Sequence, residues 1–319
     1  MASAPVRSNI TWPDGKIFAF TVFDDTDGAI LSEIRKIYSF LLDHGIVTTK
    51  SVWPLGAQNP EPFMGATCEV PDYVEWLLGI RRQGVEIAYH NASCTSSDRE
   101  RTIAGLQRFE ELFGQSPRSY TCHSQCRENI YWGSSRLSSP LYRTIYNMLT
   151  GFRKMPYFQG HVEDSKWFWG DLCRDNIQYV RNFTFSDINT LRVCPFMPYH
   201  DSKRPFVNAW FASSDAGDVD SFIKCISEER QDMLEEQGGA CIIYTHFSRH
   251  FYTDGSLNTE FTRLIKRLAG KNGWFVPTST LLDYLTAAQG VHVISDEERN
   301  ALERRWLLER VKITLGGRR

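Results

Sequence analysis

The stretch Ile17–Asp27, IFAFTVFDDTD, runs from an apolar segment straight into three carboxylates within four positions. Ile17, Phe18, Phe20, Val22 and Phe23 favour an extended, buried strand. Asp24 and Asp25, adjacent where it ends, point in different directions. One can take a proton while the other holds a metal ion or a substrate hydroxyl. A plainer reading is that the acids cap the helix expected over residues 29–44, whose N-terminus welcomes negative charge. One acid is enough to cap, and three are present.

Outward from this stretch the chain alternates strand and helix. AILSEIRKIYSFLLDHG has apolar residues at helical spacing and a Gly stop, and IVTTKSVW follows as a second strand. PDYVEWLLGIRRQG begins with a helix-starting Pro, VEIAYH is a third strand, SSDRERTIAGLQRFEELFG a capped helix and RSYTCH a fourth strand. The middle is less regular. SSPLYRTIYNMLTGF suits a helix, VRNFTF and RPFVNAWF suit strands, and the segment holding Trp167 and Trp169 suits a loop or lid. Beyond it come one helix over residues 218–239, the apolar strand ACIIYTHF, a helix, the short strand WFVPT and a closing helix. Repeated βα units with strands this apolar predict a parallel sheet covered by helices. About seven strands predict an α/β fold closed as a distorted (β/α) barrel over residues 1–290. Residues 291–319 read as a basic helical tail in which Leu302, Trp306 and Leu308 form one face, packed on its own domain or a partner, with membrane-surface association as a lesser alternative.

Among 319 residues the net charge is -2, which argues against a nucleic-acid binder. The start of the chain lacks a signal-peptide core and no apolar run reaches the ~20 residues of a membrane span, so a cytoplasmic protein without stable membrane insertion is expected. Eight scattered cysteines read as reduced thiols, and Cys122 and Cys126 lack the second pair a structural zinc site would need. Asn9, Asn91 and Asn182 stand in N-x-S/T sequons, which matter only for a secreted chain. Nine Trp offer stacking platforms for sugar rings. Oligomeric state is not legible.

Polar residues of catalytic type close four of the expected strands: Asp24 and Asp25, then His90, then Cys122 with His123, then His246. In parallel α/β folds the carboxyl ends of the strands share one face, where ligands bind. A single histidine there is more often structural; three with a double Asp point to a site.

TVFDDTD, YHNASC and IIYTHF together resemble the polysaccharide deacetylase family, the NodB-type carbohydrate esterases, over residues 17–285. The first and last match well, and YHNASC matches the family's His-x-x-x-His turn only in its leading histidine. The resemblance implies a distorted barrel of about seven strands and a metal-dependent hydrolase that removes the N-acetyl group from an N-acetylated sugar. Lacking export signals, the chain is expected to act on a glycan-biosynthesis intermediate. A non-catalytic carbohydrate-binding barrel and a metal-dependent hydrolase of another bond are the rivals.

On this reading Asp25, His90 and His123 hold a divalent metal, zinc by preference, with Cys94 the rival third ligand in place of the family's second histidine. Asp24 is the general base and His246 the general acid. Arg127, Asn129 and Trp132, in the loop replacing the family's Arg-Pro-Pro-Tyr segment, are candidates for substrate binding. Asp171 is another, by its loose likeness to the family's Asp/Trp motif. Asp27, where the family has Gly, would cap the following helix or orient a ligand.

Overall fold

The computed structural model describes residues 10–58, 64–151 and 157–316. Seven strands make a closed ring: β1 (Phe18–Asp24), β2 (Thr49–Val52), β3 (Glu86–Tyr89), β4 (Ser119–Tyr120), β5 (Tyr179–Phe185), β6 (Ala209–Asp215) and β7 (Ala240–Thr245). Every neighbouring pair is parallel, and β7 returns to β1 from Ala19 opposite Ala240 to Asp24 opposite Thr245. The expected (β/α) barrel is the observed one. Its distortion is local: β4 is two residues long, and the β5 to β6 register slips between Arg181 and Thr184. Gly273–Phe275 also lies parallel to the first half of β1, where β2 does not reach.

All of β1 is buried, as both faces of a barrel strand must be. Around the ring, helices turn apolar stripes inward. Leu31–Asp43 buries Ile34, Ile37, Tyr38 and Leu41. Arg99–Phe113 starts at Asp98, whose carboxylate accepts the Arg101 N–H at 3.1 Å, and stops at Gly114 in the left-handed region.

Several local expectations change. Residues 218–239 form two helices, Val219–Cys225 and Glu228–Gln237, the first begun by an Asp218 capping box. The helix after β1 has Ile30 at its N-cap with no side-chain bond, so none of the three acids caps it. Trp169 is no lid residue: it is fully buried, and its indole donates to the Glu128 carbonyl at 2.5 Å. The sequon residues Asn91 and Asn182 are buried; Asn9 lies outside the described residues.

The C-terminal helix, Asp296–Gly316, packs on the helix Pro140–Leu149 and on β5. Leu302, Trp306 and Leu307 are buried, whereas Leu308 is 54% exposed. Positions 306 and 308 are two apart and cannot share a helical face, which corrects the expected stripe. Arg299 and Glu303 are buried on the packed side. Arg299 pairs with Asp201 at 2.8 Å, Glu303 with Arg204 at 3.1 Å, and Arg204 also with Asp201. Two carboxylates and two guanidinium groups thus neutralise one another under the helix. No helix among the described residues is long and apolar enough to cross a membrane.

Candidate active site

At the carboxyl ends of the strands lies a cavity of about 380 Å³. Asp25 and Asp27 after β1, His90 after β3, Cys122 and His123 after β4, Arg181 and Thr184 of β5, Asp215 closing β6, and Tyr244 and His246 at the end of β7 form its floor and walls. Trp132, Arg136, the helix Pro140–Leu149 and the C-terminal helix form the other side, the last through Trp306, Arg310 and Thr314.

Asp27 is the centre of the cluster. One carboxylate oxygen is 3.0 Å from His90 Nε2 and 3.5 Å from His246 Nε2, and the other is 2.8 Å from His123 Nδ1. The tautomers follow from the far nitrogens. His90 Nδ1 is 2.9 Å from the Thr121 carbonyl and His246 Nδ1 is 2.8 Å from the Gly217 carbonyl. A carbonyl only accepts, so both Nδ1 atoms carry hydrogen and both Nε2 atoms face the carboxylate. An imidazole lone pair and a carboxylate oxygen repel at such distances unless a cation, a proton or a metal ion, lies between them. His123 adds to this. Its ring is buried, neither nitrogen has an aligned hydrogen bond among the described residues, and its backbone is fixed by the Asn91 Oδ1 accepting the His123 N–H at 2.9 Å. Orphaned imidazole nitrogens beside a carboxylate fit a metal, and the backbone carbonyls behind His90 and His246 are the outer partners that ligating histidines need. Donor atoms of Asp27, His90 and His123 lie within 4.8 Å of one another, and so do those of Asp25, Asp27 and His246.

Burial opposes ionisation of Asp27, but contacts with His123, His246 and His90 outweigh it and hold its carboxyl well below the usual range. Asp25 is ordered differently. Arg181 Nη1 and Nη2 grip its two oxygens at 3.1 and 2.5 Å, and Thr121 Oγ1 donates to it at 3.1 Å. Burial again raises its pKa, but the Arg181 charge beside it brings the net shift below the usual value. His246 moves the opposite way. Burial lowers it, while contacts with Asp27 and Asp25 raise it by more, so its pKa lies above the usual histidine value.

Asp24 does not reach the cavity. Its side chain is 1% exposed, accepts the Phe247 N–H at 2.9 Å and the Tyr38 hydroxyl at 3.1 Å, and stands 2.8 Å from the fully buried Lys50 Nζ. The general base expected there is therefore misplaced. Asp25, expected as a ligand, is held by a guanidinium, and the Asp27 carboxylate faces the histidines in its stead. Cys94 is buried and is not part of the cavity wall. Of the residues expected to touch substrate, Trp132 alone faces the cavity. Arg127 is exposed, with its guanidinium 5.2 Å from the Tyr157 ring. Asn129 is fully buried and donates to the His123 carbonyl, bracing the loop. Asp171 pairs in bidentate fashion with Arg99 at 2.7 and 2.6 Å, away from the cavity.

Arg181 is the cavity residue that the sequence reading missed, and Asp27, weighed there as a cap or as a residue that orients a ligand, takes the central place. Both left a signal. Asp27 is two positions from Asp25, so in an extended segment both face the same side and Asp24 the other. Arg181 is a charged residue inside a strand otherwise suited to burial, and buried arginines are rare unless paired.

No family model and no curated protein matches the chain. Solved structures do. A Mycobacterium smegmatis protein provisionally assigned as a polysaccharide deacetylase superposes with a TM-score of 0.55 at 14% identity, covering 92% of this chain and 97% of that one. A similarly assigned protein of Pseudomonas aeruginosa PAO1 gives 0.50 at 11%, covering 88% and 95%. Puue allantoinase gives 0.51 at 12%, covering 88% and 94%. At such identities the likeness is one of fold, and the same barrel carries more than one named activity.

Proposed function

We propose that this chain, built on the barrel of the polysaccharide deacetylases, is a metal-dependent hydrolase that removes the acetyl group from an N-acetylated sugar. The observation that carries the reading is the convergence of Asp27 with His90, His123 and His246 on one cavity, with Asp25 beside them. Asp27, His90 and His123 would hold a divalent metal, and zinc suits a mixed oxygen and imidazole donor set. When bound, such an ion supplies Lewis acidity, acidifying water and polarising an acyl oxygen.

Asp25 is the base. Arg181 keeps it ionised and fixes its plane, so that it can take the proton of the attacking water as the oxygen bonds to the acyl carbon. His246 is the acid. Its Nδ1–H is anchored on Gly217, and its Nε2 proton passes to the sugar nitrogen as the C–N bond breaks, leaving acetate and a free amine. Arg181 acts through Asp25 and is a positioning residue. A cavity of about 380 Å³ has room for a small intermediate of glycan synthesis.

Metal content and acetate release from N-acetylglucosamine derivatives, measured together, test the scheme. Asp25→Asn is expected to keep the metal and lose roughly 10²–10⁴-fold in turnover, the usual contribution of a positioned base, whereas Asp27→Ala loses both. Wild-type enzyme that binds zinc at one per chain but releases no acetate from any acetylated sugar would refute the assigned reaction. Full turnover in Asp27→Ala would refute the assigned site.

A further inference from the structure

The charges around the cavity do not balance. Four arginines line it, Arg136, Arg181, Arg249 and Arg310. Arg181 is engaged by Asp25, and Arg310 is 2.8 Å from Asp215. Arg249 is exposed at the rim. Arg136 is buried, only 8% exposed, and among the described residues its guanidinium has no hydrogen bond and no carboxylate partner. It lies 3.3 Å from the centroid of the Trp132 ring and 5.7 Å from that of Trp306. Burial pulls its pKa down to about 10, still charged at neutral pH.

A buried cation without an anion is costly. Rings recover part of that where a cation–π contact is desolvated. Glu303 on the packed C-terminal helix is already engaged. Both oxygens of Glu303 accept the Ser138 N–H, at 2.9 and 2.8 Å, and one also takes Arg204. Arg204 in turn donates to the Arg136 carbonyl and to Ser138 Oγ, so the segment Gly133–Arg136 is pinned from beneath while its guanidinium faces the cavity. The protein holds this charge in place and leaves it unmatched.

We propose that Arg136 anchors an oxyanion carried by the substrate, so that the molecule cleaved is a small acidic N-acetylated sugar bearing a carboxylate or a phosphate. The inference rests on the deacetylase reading for the reaction, but not for the anion site. Guanidinium matches either group through paired N–H donors, and Trp132 stacks on its face, leaving the edge to the ligand. At about 380 Å³ the cavity is at the small end of ligand sites, ~300–1,000 Å³. That size suits one sugar unit with its acidic substituent.

Binding and turnover are measured separately, with N-acetylglucosamine, N-acetylglucosamine 1-phosphate and N-acetylmuramate as probes. Tryptophan fluorescence reads binding, since Trp132 and Trp306 flank Arg136, and acetate release reads turnover. The acidic probe of the right type is expected to bind roughly 10- to 100-fold more tightly than the neutral sugar, the worth of a charge-assisted contact. Arg136→Met abolishes that preference, Arg136→Lys restores part of it, and melting of Arg136→Met at or above the wild-type temperature shows that the loss is not unfolding. A preference for the phosphate over the carboxylate, or the reverse, names the group. Equal binding of all three probes by wild type, or an acidic preference that survives Arg136→Met, overturns the inference. Arg136-dependent binding of an acidic probe without acetate release keeps the anion site and rejects the deacetylase reading.

Discussion

Replacing Asp24 by Asn separates a structural acid from a catalytic one. Asp24 and Lys50 form a fully enclosed pair at 2.8 Å, with Lys50 at 0% and Asp24 at 1% exposure. Lys50 Nζ is out of hydrogen-bond alignment with its partner, so the attraction is mainly coulombic. In Asp24→Asn the ammonium stays buried without a counter-charge, and the Tyr38 hydroxyl and Phe247 N–H lose an ionised acceptor. Breaking a buried pair in this way costs about 3–5 kcal/mol. At roughly 2–4 °C per kcal/mol for a domain of this general size, the melting temperature falls by about 6–20 °C. Removing both charges relieves most of the penalty, so Asp24→Asn with Lys50→Met is expected to recover more than half of the lost stability. Urea unfolding midpoints of the wild type, both single variants and the double variant give the coupling. Acetate release well below each melting temperature gives the chemistry, and Asp24→Asn should stay within about tenfold of wild type while Asp25→Asn does not. A stable Asp24→Asn protein with turnover reduced by several orders of magnitude would show that the base is Asp24 after all.

Two further variants probe the support behind the site and its wall. Burial raises the Glu128 carboxyl to about 7, against the bonds it accepts from Asn91 and Ser97. A carboxyl raised on folding binds more protons folded than unfolded, so its contribution is full below pH ~4.5 and fades as pH rises to about 7, by roughly 3 kcal/mol in all. Glu128→Gln should flatten that part of the stability profile in urea titrations from pH 4.5 to 8; an unchanged slope assigns it to another group. Trp306 is 2% exposed and lies against Tyr146 and Phe183, so Trp306→Ala is expected to cost about 3–5 kcal/mol by calorimetry and to weaken sugar binding. Wild-type melting in that variant would mean that the C-terminal helix is not part of the folded core.

The barrel was legible because its strands carry long apolar runs that end in punctuation: FAFTVF before the acids, ACIIYT before His246, a Gly closing each early helix. What periodicity cannot resolve is which way a side chain turns once the strand has ended. Asp24, Asp25 and Asp27 are equivalent as letters. The pleat sends Asp24 outward to Lys50 on the neighbouring strand and leaves Asp25 and Asp27 inward. The histidines were easier, since each stands alone at its strand end. Arg136 was out of reach, because its meaning depends on Glu303 and Arg204, residues far along the chain that occupy each other and leave it unmatched.

Ring closure places Ala19–Asp24 against Ala240–Thr245, a strand that follows far later in the sequence. Such non-local pairing is slow to form, because the loop entropy is lost before the contacts reward it. Until β7 arrives, one side of a largely apolar strand lacks its backbone partner, a template for edge-to-edge association. The nascent chain should therefore depend on chaperones that shield β1. Chains cut before Ala240 are expected to aggregate rather than to accumulate as a partial barrel.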